Sequence, residues 1–165
     1  MSSVRSSKQS PSVPAPADTA APASEPVDTG FLRTLVGYNT RRAALSIIAV
    51  FMERMAVYDL KVVDFSVLSL VAHNPGITSR QLCATLSVLP PNMVGLIAAL
   101  ERRGLIERRP HPSDGRAMGV HLTPAGVELT AQAEQTAAQL EEDATHRLTA
   151  AERKTLIRLL QKVYD

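Results

Sequence analysis

The chain has 165 residues, enough for one domain with a substantial core, and its 45% hydrophobic and 21% charged content is that of a globular protein. No run approaches the ~18 apolar residues of a membrane span, and the opening MSSVRSSKQSPS lacks the apolar stretch of a signal peptide, so a cytoplasmic location with no membrane partner is expected. Cys83 is the only cysteine, which excludes an internal disulfide or a Cys-based metal site within one chain and leaves open a disulfide to a second subunit.

The net charge of +2 is small for a nucleic-acid binder, but it is unevenly distributed. Between Thr78 and Thr123, Arg80, Arg102, Arg103, Arg108, Arg109 and Arg116 face only Glu101, Glu107 and Asp114, a local excess of +3 with His111 among them. A local basic patch matters more for DNA than the whole-chain figure.

Residues 1–29 are dominated by Ser, Pro, Ala and Thr without apolar periodicity and are expected to form a disordered tail. A folded unit is expected over 30–165. Its first element is read as one long helix over 31–56, carrying Phe31, Leu32, Leu35, Leu45, Ile48, Val50, Phe51 and Met55. Asp64 is placed to cap a second helix through Phe65, Leu68 and Val71, stopped by Asn74-Pro75-Gly76. Thr78-Ser79-Arg80-Gln81 reads as a capping box opening a short third helix that ends near Leu86. Pro90-Pro91 begins a fourth, where missing N–H groups cost nothing, and Gly104 ends it.

The pattern then changes to a β-hairpin: a strand from Leu105, a polar loop from Pro110 to Gly115, and a return strand over Ala117 to Leu122. Thr123-Pro124 caps a long helix to about Thr145, and Thr149 to Glu152 is a second capping box, opening a last helix with Leu156, Leu159, Leu160 and Val163 on one face. The fold class is therefore mainly α with a small β-hairpin. Two short helices joined by Ser87-Val88-Leu89 and followed by an Arg-rich hairpin describe a winged helix-turn-helix over 62–123.

In that motif the second short helix enters the major groove. Met93, Ile97 and Leu100 recur at helical spacing and should pack inward, leaving Pro91, Asn92, Val94, Gly95 and Ala98 outward, a small apolar face suited to close approach to base edges. Asn92 is its one strong hydrogen-bonding side chain and can specify sequence, whereas Ser79 or Arg80 on phosphate would only position the protein.

Leu100-Glu101-Arg102-Arg103-Gly104-Leu105-Ile106-Glu107-Arg108, Asp114-Gly115-Arg116 and Val120-His121-Leu122-Thr123-Pro124-Ala125-Gly126 resemble the end of the recognition helix, the wing and the following helix of the MarR (multiple-antibiotic-resistance regulator) family. With the flanking helices the resemblance covers about residues 31–165. It implies a homodimer built from the helices at 31–56 and 124–164, binding a pseudo-palindromic operator in double-stranded DNA, with Arg116 reaching into the minor groove and Asp114 bracing the wing. It also implies a repressor that regulates its own expression. Position 95, where many relatives carry a basic or hydrogen-bonding residue, is Gly, which shifts the burden of affinity to the wing and Arg80. Arg109 and His111 complete the expected interface, although the Arg run over 102–109 reads equally as a solvated helix end and hairpin.

On the first helix Tyr38, Arg42 and Ser46 lie on neighbouring turns. With Phe65 they are expected to line a cleft in which Arg42 holds a carboxylate; the alternative is that Arg42 is merely exposed or pairs across the dimer. By resemblance the ligand is a small aromatic acid. Gly37-Tyr38-Asn39-Thr40-Arg41-Arg42-Ala43-Ala44 and Leu89-Pro90-Pro91-Asn92 resemble the branch that controls aromatic-acid breakdown, with hydroxylated nicotinates among the candidates. Two other readings compete: a winged-helix module that binds protein, and a redox sensor through Cys83, whose default is a buried structural thiol. His73 reads as a helix-end partner or pocket wall, and His111, His121 and His146 show no zinc-like spacing, so no metal is expected. No Gly-rich phosphate loop or catalytic triad spacing is found, so neither a cofactor nor enzymatic activity is expected.

Overall fold

The computed structural model describes residues 27–111 and 114–164, with the side chains of 111 and 114–117 outside the described set. Helices α1 (Gly30–Arg33) and α2 (Val36–Met55) are followed by a 3₁₀ turn at Ala56–Tyr58 and by α3 (Val62–His73). Strand β1 (Ile77–Thr78) precedes α4 (Ser79–Leu86) and α5 (Pro90–Arg102), the hairpin β2 (Ile106–His111) and β3 (Asp114–Leu122), then α6 (Pro124–Ala144) and α7 (Ala150–Tyr164).

The capping boxes form as their residues dictate. Gln81 N–H donates to Thr78 Oγ1 and Thr78 N–H donates to Gln81 Oε1; Thr149 and Glu152 repeat the exchange at α7. At α6 the Thr123 hydroxyl accepts from Gly126 N–H at 3.0 Å and donates to Gly104 O at 2.6 Å, tying the start of α6 to the end of α5. Gly104 ends α5 at φ 68°, a conformation favouring glycine. Gly126 answers a different need, because a Cβ there would lie 1.9 Å from the Leu105 carbonyl oxygen.

Four readings are corrected. The stretch over 31–56 is two helices, since Leu35 is extended at φ −92°, ψ 129°. Side chains compensate the break: Thr34 Oγ1 donates to Phe31 O, and Asn39 Nδ2 donates to Arg33 O and Leu35 O. Asp64 is not the cap of α3 but its third residue, where its carboxylate accepts from Lys61 N–H at 3.1 Å. The hairpin strands run into the expected polar loop, pairing Arg109 with Gly119 and Pro110 with Met118 before a bulge at His111. Finally, β1 pairs antiparallel with β3, Ile77 opposite Val120, giving a three-stranded sheet ordered β1-β3-β2. Of the expected tail, residues 1–26 lie outside the described residues, whereas Asp28 Oδ1 accepts from Gly30 N–H at the start of α1.

The core joins both halves of the chain. Met55, Leu60, Val67, Leu68 and Val71 meet Leu82, Met93, Ile97, Leu100, Ile106 and Val120 from the winged part and Ala133 and Leu140 from α6. Helix α6 packs on α2 and α3. Arg54 and Asp143 pair at 2.8 Å across the α2–α6 contact. On the α3 side, Glu134 Oε1 accepts from Ser69 Oγ at 2.7 Å and lies 2.9 Å from His73 Nε2. Helix α7 buries none of its residues and is held at its base by Arg153, which donates to Thr145 Oγ1. No single helix among the described residues is long and apolar enough to cross a membrane.

Candidate nucleic-acid interface and effector cavities

Helices α4 and α5 bend by 115° across Ser87–Leu89, the angle of a helix-turn-helix. Ser87 makes the turn at φ 52°, and Val88 N–H donates back to Cys83 O. Met93, Ile97 and Leu100 are buried as their spacing requires, which orients the opposite face of α5 outward. Pro91, Asn92, Val94 and Gly95 are exposed on it and Ala98 is half-buried. Ser79 is half-buried in the first turn of α4, beside the exposed Arg80.

The arginines fall into two groups. Arg103 donates to the carbonyls of Tyr58 and Asp59 at 2.8 Å each, fastening the 3₁₀ turn to the end of α5. Arg108 grips Glu101 with two hydrogen bonds of 3.0 and 2.6 Å, joining β2 to α5. That fork holds the Glu101 carboxyl below its usual range and raises Arg108 above its own. Arg109 pairs with Glu107 on the same strand. Arg80 and Arg102, by contrast, carry no ion pair among the described residues and are exposed. The side chains of His111, Asp114 and Arg116, expected at the wing, lie outside the described residues.

The four expected ligand residues are not brought together. Tyr38 and Arg42 line a cavity of about 450 Å³ with Val27, Thr29, Arg33 and Asn39. Ser46 lines a separate cavity of about 380 Å³ with Ile47, the segment Ala144 to Leu148, and Leu156. Phe65 lies in neither cavity and packs edge-on against Phe51, with ring centroids 5.6 Å apart. Arg33 was missed by helical spacing because the break at Leu35 removes it from the periodicity of α2. Its Nε donates to Thr29 Oγ1, and it shares the larger cavity with Arg42. Cys83 is half-buried against the core.

A model of the MarR family matches residues 58–117. A putative transcriptional regulatory protein for the hcr operon of Thauera aromatica is 37% identical over 100 residues, 61% of this chain and 60% of that relative, so the match spans under two thirds of the relative's length. Among solved structures, the transcriptional repressor CouR bound to a 23-mer DNA duplex superposes with a TM-score of 0.79 at 34% identity, covering 85% of this chain and 99% of CouR. BpsR of Bordetella bronchiseptica, whose DNA binding is regulated by 6-hydroxynicotinic acid, superposes with a TM-score of 0.73 at 27% identity over 79% of this chain and 94% of its own. Motif order, the geometry of α4 and α5 and these similarities agree: the chain belongs to the MarR family of winged-helix regulators.

Proposed function

We propose that the protein is a DNA-binding transcriptional repressor that acts as a homodimer on a pseudo-palindromic operator and is released by a small aromatic carboxylate. The observation that carries the reading is the outward face of α5, free of carboxylates from Pro90 to Leu100 and accompanied by the exposed Arg80 and Arg102, which carry no ion pair among the described residues. CouR, of the same fold, is bound to a DNA duplex. Asn92, Val94, Gly95 and Pro91 face base edges, Ser79 and Arg80 take phosphates, and the wing with Arg109, His111, Asp114 and Arg116 follows the neighbouring minor groove. The two copies of α5 sit in half-sites about one helical turn apart.

The effector site is assigned to the cavity of Tyr38 and Arg42, enlarged by Arg33, whose guanidinium groups suit a carboxylate. BpsR, regulated by 6-hydroxynicotinic acid, supports an aromatic acid as the class. Release is a population shift: the acid favours a spacing of the two DNA-binding lobes that no longer matches the half-sites, which needs a differential affinity of only a few kcal/mol.

The test is a gel-shift titration of the purified protein on DNA from its own promoter, repeated across salt and with a panel of aromatic acids including hydroxylated nicotinates. Affinity should fall with a log–log slope of about −0.9 per phosphate neutralised, and one acid should release the complex. Arg116→Ala should weaken binding, and Arg42→Ala should blunt release while sparing the operator. Failure of any specific shift sinks the reading in favour of a protein-binding winged helix.

A further inference from the structure

Helix interiors disfavour glycine relative to alanine, so a glycine there normally answers a local need. Gly126 has one, the Leu105 carbonyl. Gly95 has none: its φ is not positive, and a Cβ built on it meets nothing within 4 Å. Gly37 is equally open, but it is the second residue of α2, where a helix end tolerates it. Gly95 lies in the middle of α5, between the buried Met93 and Ile97. Nothing within the described chain requires the absence of a side chain there.

The adjacent Val94 is a β-branched apolar residue left 60% exposed. Pro91, Gly95, Ala98 and Arg102 follow one another at helical spacing, so this strip of α5 offers almost no hydrogen-bonding group until Arg102. Asn92, beside it, is the one uncharged polar side chain of α5. The surrounding charge favours a polyanion, since Arg80 and Arg102 are exposed and Glu101, the one carboxylate of α5, is already gripped by Arg108. Within a major groove one apolar feature projects from the base pairs, the thymine 5-methyl group.

We propose that α5 reads thymine through its 5-methyl group, with Val94 as the contacting side chain and Gly95 as the gap that lets the helix backbone close on the base edges. The proposal rests on the reading that α5 enters the major groove of an operator. Asn92 then supplies the complementary polar contact, matching the N6 and N7 positions of adenine in an A·T pair. Specificity in each half-site is thereby set by shape and methyl burial more than by charged side chains.

The experiment replaces each thymine of the footprinted operator in turn by deoxyuridine, which keeps every hydrogen-bonding group and removes only the methyl. Full-length protein should lose roughly fourfold in affinity for each methyl buried against Val94, and about an order of magnitude when both half-sites are changed. Val94→Ala should bind thymine and uracil operators equally at that position. Gly95→Ala should raise the melting temperature, because alanine is the better helix former, while weakening the operator complex.

Uracil tolerated at every position, with specific and salt-dependent binding intact, overturns methyl reading and leaves the regulator reading standing. Uracil sensitivity undiminished in Val94→Ala overturns the assignment to Val94. Unchanged binding by Gly95→Ala overturns the role of the gap. Absence of any specific binding by the wild-type chain removes the underlying reading and this proposal with it.

Discussion

A single hydroxyl marks where the helix-turn-helix begins. Thr78 closes β1 and caps α4, accepting from Gln81 N–H while Gln81 accepts in return. Thr78→Ala should cost about 0.5–2 kcal/mol in urea denaturation, with Thr78→Ser retaining most of it because the acceptor remains. Gly126 works by steric means. Alanine there would place a methyl 1.9 Å from Leu105 O, forcing α6 away from the hairpin, and the melting temperature should fall by the equivalent of about 1–3 kcal/mol or more. The Thr78 cap was legible in the sequence because its spacing to Gln81 is local. The need at Gly126 was not, since the atom it avoids is contributed by a residue 21 positions earlier.

Between elements, the Arg108–Glu101 fork ties β2 to the end of α5. Its carboxyl is held below the usual value of 4.5 chiefly by the hydrogen bonds from Arg108. A depressed folded-state pKa contributes stability above the unfolded value, and that contribution is lost as pH falls through the folded one. The urea midpoint should therefore decline as pH drops below about 4.5 in the native chain, and the part due to this pair should vanish in Arg108→Ala. A midpoint profile identical in the two proteins would show that the fork does not link folding to Glu101. Arginine content alone had left Arg103, Arg108 and Arg109 open between DNA and structure. Pairing with Tyr58 O and Asp59 O, with Glu101 and with Glu107 gives each a partner inside the chain; those of Arg103 lie more than 40 positions away and come into reach only after packing, that of Arg108 is met across the α5–β2 turn, and that of Arg109 lies two residues along its own strand. Similarly β1 has two residues, too few to show a period, and exists because Ile77 finds Val120 across the sheet.

Across the molecule, apolar surface is concentrated at the two ends of the chain. Phe31 is 77% exposed, Val36 70% and Val163 73%, and Leu45, Ile48, Leu156, Ile157 and Leu159 are exposed as well, while α7 buries nothing. Large apolar side chains left exposed on these helices are the kind of surface that marks an interface, in keeping with the proposed homodimer of α1, α2, α6 and α7. Replacing Leu156 and Leu159 together by Asp should yield a monomer in sedimentation velocity and lower operator affinity, because two half-sites are then no longer held together. A dimer that survives both changes would place the interface elsewhere.

The sequence by itself determined the order of helices from α3 onward, the helix-turn-helix, its buried face at Met93, Ile97 and Leu100, and the caps at Thr78, Thr123 and Thr149. Each depends on residues within about two helical turns of one another, where periodicity and hydrogen-bonding chemistry are readable directly. Tertiary structure decided which arginines remain available to a partner, that Arg33 joins Tyr38 and Arg42 while Ser46 and Phe65 go elsewhere, and that Gly95 has no reason within the described chain. Arg33 lies close to Tyr38 and Arg42 in sequence but joins them across the break at Leu35, and the other outcomes follow from how α2, α3 and α6 pack; helical periodicity carries no record of either.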